Sequence, residues 1–450
     1  MLSDVILSSA QQVRSVLAGR SLSDSMGESD PGLRAATQAI TFHVMRRLGL
    51  AQALRTELVP RKPADPLLDA LLLVSLALLE TAAQHESETS SGELADDEPD
   101  AALSTARRVP VYAVHTVVDQ AVAAAAAHRS LRNVKGMVNA VLRNFLRRRE
   151  SLLAQVLQQP EARWNHPEWW VRVLQHAYPD QWEQILLAAD HPGPMTLRVN
   201  LKRASVEQAQ AAMAEAGITA RTLGVQGLVL EQPRPVQAIP GFEQGWWSVQ
   251  DASAQQAALM LAPENGMRVL DACAAPGGKT AHLLELADVH LQALDSDPAR
   301  LDRISQTLER LGLGGEHVQL IAADAADLNA WWDGKPFDLV LADVPCTASG
   351  IVRRHPDIRW LRRESDLQKT ANLQRRIVDA LWQTVRPGGK LLYATCSIFP
   401  HEGERQAKAF AQRWPDAQRL DAPGQILPFA VTDELTAPDG FFYAMFAKSA

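Results

Sequence analysis

Arg268-Val-Leu-Asp-Ala-Cys-Ala-Ala-Pro-Gly-Gly-Lys-Thr280 is a short apolar run that breaks into a glycine turn and reopens as a helix. The spacing predicts a strand at Arg268–Asp271 and a helix at Lys279–Leu286. Moving outward, the same alternation recurs. Strands are expected at Leu291–Asp295, Val318–Ala322, Phe337–Ala342 and Lys390–Ala394, and helices at Pro298–Leu311 and Asp366–Thr384. Repeated strand–helix units build a parallel sheet covered on both faces. Residues 241–450 therefore read as an α/β, Rossmann-like domain, whose ligand binds beyond the carboxyl ends of the strands.

The loops at those ends carry the chemistry. Gly277 and Gly278 allow close approach of a ligand, and the following helix offers free N–H groups. A phosphate-cradling P-loop needs glycine where Cys273 stands, and G-x-G-x-x-G is absent. The turn suits a ligand without a pyrophosphate. Asp295 closes the next strand, 18 residues after Gly277, and Asp324 and Asp343 follow the two after it. A single acid there reads as a helix cap. Three in succession favour a nucleoside cofactor, and S-adenosylmethionine fits.

All three cysteines lie at strand ends of this domain, 73 and 50 residues apart, a spacing that matches no zinc pattern. Cys273 reads as a small buried residue. Cys346, in Asp343-Val-Pro-Cys346, and Cys396, in Thr395-Cys-Ser397, lie on neighbouring loops. A thiolate there is a good carbon nucleophile. Added to C6 of a pyrimidine, it makes C5 an enamine carbon able to take a methyl group. A second cysteine accounts for release.

The rest of the chain is organised differently. Its 450 residues suggest two to three domains at about 150 each. Hydrophobic content of 46% and charged content of 22% exclude a disordered, collagen-like or coiled-coil protein. Three cysteines exclude a disulfide scaffold. Residues 1–155 read as all-α, with helices at Leu33–Leu48, Pro66–Leu79, Val109–His128 and Leu131–Arg149. The apolar run Leu67–Glu80 contains Asp69 and reads as a buried helix. Residues 156–240 read as a helical linker and a small α+β unit. The net charge of −7 is misleading for a nucleic-acid binder. Seven acids and no Lys or Arg occupy 84–106, which reads as a disordered acidic insertion, and the remainder is neutral. Arg132, Lys135 and Arg143 lie on a basic helix, and Arg353–Arg376 carries a net +5 that includes Arg353, Arg354, Arg359, Arg362 and Arg363. These are the expected RNA contacts, with Trp360 as a stacking candidate.

Cys273-Ala-Ala-Pro-Gly-Gly-Lys279, Asp343-Val-Pro-Cys346 and Thr395-Cys-Ser397 resemble the RNA cytosine-C5 methyltransferases. Ile351-Val-Arg-Arg-His-Pro-Asp-Ile-Arg-Trp-Leu-Arg-Arg363, Val249-Gln-Asp-Ala-Ser-Ala-Gln255 and Gly136-Met-Val-Asn-Ala-Val-Leu-Arg143 look like the bacterial branch that acts on small-subunit ribosomal RNA. The helical N-terminal domain is similar to the RNA-binding antiterminator NusB. The resemblance implies that Cys273, Ala274, Ala275, Pro276, Gly277, Gly278, Lys279, Asp295, Asp324 and Asp343 bind S-adenosylmethionine. It puts attack on Cys396 and release on Cys346, whereas in DNA cytosine methyltransferases the cysteine of the Pro-Cys motif attacks. From the residues themselves, the few, widely spaced cysteines and the lack of a signal-peptide pattern lead us to expect a cytoplasmic protein; no metal spacing or membrane-length apolar run is read, and a monomer is expected. The resemblance implies cytosine 967 of 16S rRNA as the substrate, either free or in an early assembly intermediate. A tRNA methyltransferase and a non-catalytic assembly factor remain the alternatives. One departure stands out: where the family has Pro-x-Glu-Asn-Glu, this chain has Pro400-His-Glu-Gly-Glu404, without the amide.

Overall fold

The computed structural model describes residues 1–90, 110–429 and 436–449. Its chain forms two compact units, one of residues 1–191 with 352–364, the other of 192–351 with 365–450.

The first unit is all helical. Long helices span Leu2–Leu17, Arg34–Arg46, Leu48–Leu58, Pro66–Ser90, Val114–Ala127 and Lys135–Val156. The expected helix at 33–48 is interrupted at Arg47 and resumes at Leu48. Leu67, Leu71, Leu72, Val74 and Leu78 make Pro66–Ser90 the central helix, buried among its neighbours. That helix corrects part of the disordered reading of 84–106: residues 84–90 are helical. Gln84 donates to Glu88 one turn on, and the Glu86 carboxylate accepts the Val114 N–H at 3.0 Å. The rest of that stretch lies outside the described residues.

The borders of the compact units differ from the expected domain bounds in two places. The helical unit runs past residue 155, taking in Pro160–Trp164, Glu168–Ala177 and Trp182–Ala188. It also takes back Val352–Glu364, the segment expected to hold RNA. Arg359 is fully buried there. Its guanidinium donates to Asp190 Oδ1 at 2.8 Å and to the carbonyls of Ala189 and Asn165. Asp357 accepts the Leu22 N–H, the Arg353 carbonyl accepts from Arg46, and the Trp360 indole donates to the Met45 carbonyl. The segment is a strap bolted into the helical core.

The second unit holds two sheets. Strands β1 (Met195–Val199), β2 (Ala220–Leu223), β3 (Gly227–Leu230) and β4 (Trp247–Val249) form an antiparallel sheet in the order β2-β3-β1-β4, with the helix Val206–Glu215 against it. The larger sheet contains β5 (Arg268–Ala272), β6 (His290–Asp295), β7 (Val318–Ala322), β8 (Phe337–Asp343), β9 (Val385–Thr395), β10 (Ala417–Ile426) and β11 (Phe441–Lys448), in the order β10-β11-β9-β8-β5-β6-β7. The strands from β5 to β9 are parallel, as expected. β11 is antiparallel to β9, and β10 to β11, so the sheet is mixed. Strand order reverses between β5 and β8, where sheets of this kind leave a crevice.

Candidate active site

The candidate site is built from the loops after β5, β6, β8 and β9. β5 ends in a turn that leads into the helix Gly278–Leu286. Gly277 has φ +93°, and a Cβ there would lie 3.0–3.1 Å from Ile304, so only glycine fits. The Ala274 N–H reaches the β6 carbonyl of Leu294 at 2.7 Å, and the Ala275 N–H reaches Asp295 Oδ2 at 3.2 Å. Asp295 thus braces the turn from the next strand.

Asp271 is fully buried. Its Oδ2 accepts from Thr280 at 2.6 Å, while Oδ1 has no hydrogen-bond partner among the described residues. Burial pushes this carboxyl up to about 7, with Thr280 opposing and the charges of Asp343 and Asp295 adding. An orphaned buried acceptor and a turn closed to any Cβ fit a polar ligand lying over this loop. Asp324 is half-exposed, accepts from the Ala326 N–H and pairs with Arg376 at 3.1 Å.

β8 and β9 lie side by side, Asp343 opposite Ala394. That register puts the two following loops against each other, and Cys346 and Cys396 meet with their sulfurs 3.3 Å apart. Gly350 donates its N–H to the Cys396 carbonyl at 2.9 Å. A Cβ on Gly350 would fall 2.0 Å from the Gly440 carbonyl oxygen, so this contact also requires glycine.

Charged groups crowd the pair. Lys279 bonds Asp343 Oδ2 at 2.7 Å. Burial works against its charge, yet Asp343 and a negative Cys396 hold the ammonium above its ordinary value. The Cys346 thiol is pushed far up by its hydrogen bond to Cys396, by burial, and by the charges of Cys396 and Glu402. Cys273 lies apart, its thiol raised by burial and by Asp343, Asp295 and Asp271, which agrees with an unreactive residue.

The structure therefore gathers Cys273–Lys279, Asp295, Asp343, Cys346 and Cys396 at one edge. It removes Arg353 and Arg359, both buried, from any solvent-facing role, and the Arg359 guanidinium is held by Asp190 and two carbonyls of the helical unit. Arg354 and Arg362 are half-buried in the same strap, and Arg363 turns back on the Trp360 carbonyl at 3.0 Å. Trp360 is held by its indole and does not form an open platform. Arg132, Lys135 and Arg143 are exposed on the helical unit.

Two residues escaped the sequence reading. Glu402 is fully buried and accepts from Thr347 and Ser397, the residues that follow the two cysteines. Its place in Pro400-His-Glu402 was the available signal. Arg198, in β1, is buried against Glu285 and donates to the Gly278 carbonyl at 2.9 Å. Nothing in the sequence pairs those positions. Gly403, the departure noted above, sits against Phe442: a Cβ would lie 3.0 Å from two ring carbons.

Known proteins resemble this chain over most of its length. The family described as 16S rRNA methyltransferase RsmB/F matches residues 258–447, and its ferredoxin-like domain matches 166–237. A ribosomal RNA small subunit methyltransferase B from Vibrio cholerae serotype O1 is 40% identical over 444 residues, covering 96% of this chain and 94% of that protein. The crystal structure of PH0851 aligns with TM-score 0.73 at 23% identity, covering 98% of this chain and 99% of that one. A methyltransferase homolog protein from Pyrococcus horikoshii aligns with TM-score 0.55 at 27% identity, over 64% of this chain and 97% of that one.

Proposed function

The chain belongs to the ribosomal RNA small subunit methyltransferase B family, and on that premise we propose that it methylates C5 of one cytosine in 16S rRNA, cytosine 967 by resemblance. The observation that carries the reading is the pair of cysteine sulfurs, 3.3 Å apart, beside the glycine turn.

C5 of cytosine is a poor nucleophile. The Cys396 thiolate adds to C6, and the C5–C6 electron pair becomes available at C5. S-adenosylmethionine, when bound, supplies an electrophilic methyl group. Cys273–Lys279 and Asp295, Asp324 and Asp343 would hold it, with Asp271 Oδ1 as a further acceptor. After methylation, Cys346 relays the proton. Its sulfur receives the C5 proton as its own S–H proton passes across 3.3 Å to Cys396. The C5–H pair re-forms the C5–C6 double bond, and the C6–S bond breaks. Lys279 supports attack by Cys396, since its ammonium lies near that sulfur. The exposed Arg132, Lys135 and Arg143 contact RNA phosphates, in free 16S rRNA or an early assembly intermediate.

The test is nucleoside analysis of a 16S rRNA transcript after incubation with the full chain and methyl-labelled S-adenosylmethionine. The label should appear in 5-methylcytidine, at one position on sequencing. Label in tRNA alone, or in another nucleoside, overturns the reading.

A further inference from the structure

Two catalytic cysteines of the same chemical type need something to tell them apart. The structure supplies it beneath the loops. Glu402 lies in the short turn Pro400–Glu402 after β9, fully buried. Its Oε1 accepts the Thr347 N–H at 2.8 Å and Gln374 Nε2 at 3.3 Å. Its Oε2 accepts the Ser397 hydroxyl at 2.6 Å and the Thr347 hydroxyl. The Glu402 carbonyl accepts the Tyr393 hydroxyl at 2.7 Å. Four donors converge on one carboxylate, an arrangement suited to its ionised, acceptor-only form. Thr347 is the neighbour of Cys346, and Ser397 that of Cys396. One side chain therefore ties both cysteine loops.

The charges around the pair are arranged with a sign. Cys346 faces Cys396 and Glu402, both negative when ionised. Tyr393, beneath them, is held neutral by burial and by the charge of Glu402. On the other side, Cys396 faces the Lys279 ammonium, itself paired with Asp343.

We propose that Glu402 is the positioning residue of the reaction, fixing the two cysteine loops against each other and keeping the proton on Cys346. The inference rests on the assignment of attack to Cys396 and relay to Cys346. Glu402 touches no reacting atom. It acts through the proton it keeps on Cys346, which is the proton that the relay step must hand to the departing Cys396 sulfur.

The experiment compares the full chain with Glu402→Gln and Glu402→Asp. Iodoacetamide labelling of each cysteine is followed against pH by peptide mass spectrometry, without RNA. Methyl transfer to 16S rRNA is measured alongside. In the native chain Cys396 labels first, and Cys346 labels only at alkaline pH. Glu402→Gln should raise the Cys346 labelling rate at pH 8 at least tenfold. It should lower kcat at least tenfold, with KM for RNA and for S-adenosylmethionine within twofold. Glu402→Asp keeps the charge and should leave Cys346 slow while restoring part of kcat.

An unchanged Cys346 pH profile in folded Glu402→Gln overturns the proposal. If Glu402→Gln does not fold, Ser397→Ala and Glu402→Asp decide it. Both retain the charge, so rapid Cys346 labelling at pH 8 in either contradicts the proposal, and slow labelling with reduced kcat supports it. The underlying assignment fails separately: an RNA adduct that forms on Cys346 in the native chain refutes the roles, whatever the labelling profile shows.

Discussion

Arg198→Met is the perturbation with the most defined local consequence. The Arg198 guanidinium is fully buried between the small sheet and the helix Gly278–Leu286. Nε and Nη2 bond the two Glu285 oxygens at 2.7 and 2.8 Å, and Nη1 bonds the Gly278 carbonyl at 2.9 Å and the Gln250 amide oxygen. Methionine fills similar volume but leaves Glu285, only 6% exposed, without its cation. Removing one partner of a buried pair costs about 3–5 kcal/mol. At about 1.4 kcal/mol per factor of ten, that is on the order of a hundredfold or more in local opening. The assay is hydrogen exchange by mass spectrometry on peptides covering 195–199 and 278–286. The double variant Arg198→Met/Glu285→Met, with no charge left to bury, should recover most of the protection. Because Gly278 opens the helix after the glycine turn, the single variant should also weaken cofactor binding. Protection within threefold of the native chain, or a double variant as unprotected as the single one, refutes the reasoning.

Three further outcomes follow from the same structure. Arg359→Leu should destabilise the helical unit by about 3–5 kcal/mol through the stranded Asp190, whereas Arg143→Ala should leave melting unchanged and reduce the salt slope of RNA binding by about 1; equal loss of RNA affinity without loss of stability in Arg359→Leu would contradict the strap. Burial, with arginine charges adding, holds His43 down at about 3 and His282 at about 2, so the folded chain binds fewer protons than the unfolded one below pH 6.5. Stability should be full above pH 6.5 and fall on acidification by about 1.4 kcal/mol per unit for each histidine, and His282→Asn should flatten that limb in denaturant titrations. Asp271 has the opposite sign: its folded value near 7 exceeds its unfolded one, so its contribution is present below about pH 4 and lost as pH rises through 7. Asp271→Asn should therefore raise the melting temperature at pH 8 more than at pH 4, and an equal shift at both would refute the buried-acid reading.

The Rossmann-like half was legible because its candidate site is local in sequence. Each strand end is followed closely by its candidate residue, so periodicity brought Gly277, Asp295, Cys346 and Cys396 to one edge. The antiparallel edge was not legible. β10 carries Asp421, Pro423 and Gly424 and is irregular between Leu420 and Gly424, and β11 is a nearly unbroken apolar run without a period. The basic strap misled because arginine is rarely fully buried unless paired. The partner of Arg359 is Asp190, 169 positions earlier, and no local pattern announces it. Glu402 and Arg198 were hidden for the same reason, since their roles come from contacts made only after folding. The acidic stretch was half legible: its charge is real, but an i,i+4 bond and the reach of Glu86 to the next helix carry the helix through residue 90.

The division of labour between the cysteines is the central claim. Its most direct measurement is denaturing gel analysis of RNA–protein adducts formed by Cys346→Ala, Cys396→Ala and the double variant on 16S rRNA with S-adenosylmethionine. Cys346→Ala should accumulate a denaturant-resistant adduct that traps the methylated base. Cys396→Ala and the double variant should form neither adduct nor product. An adduct that persists in Cys396→Ala and vanishes in Cys346→Ala contradicts the account.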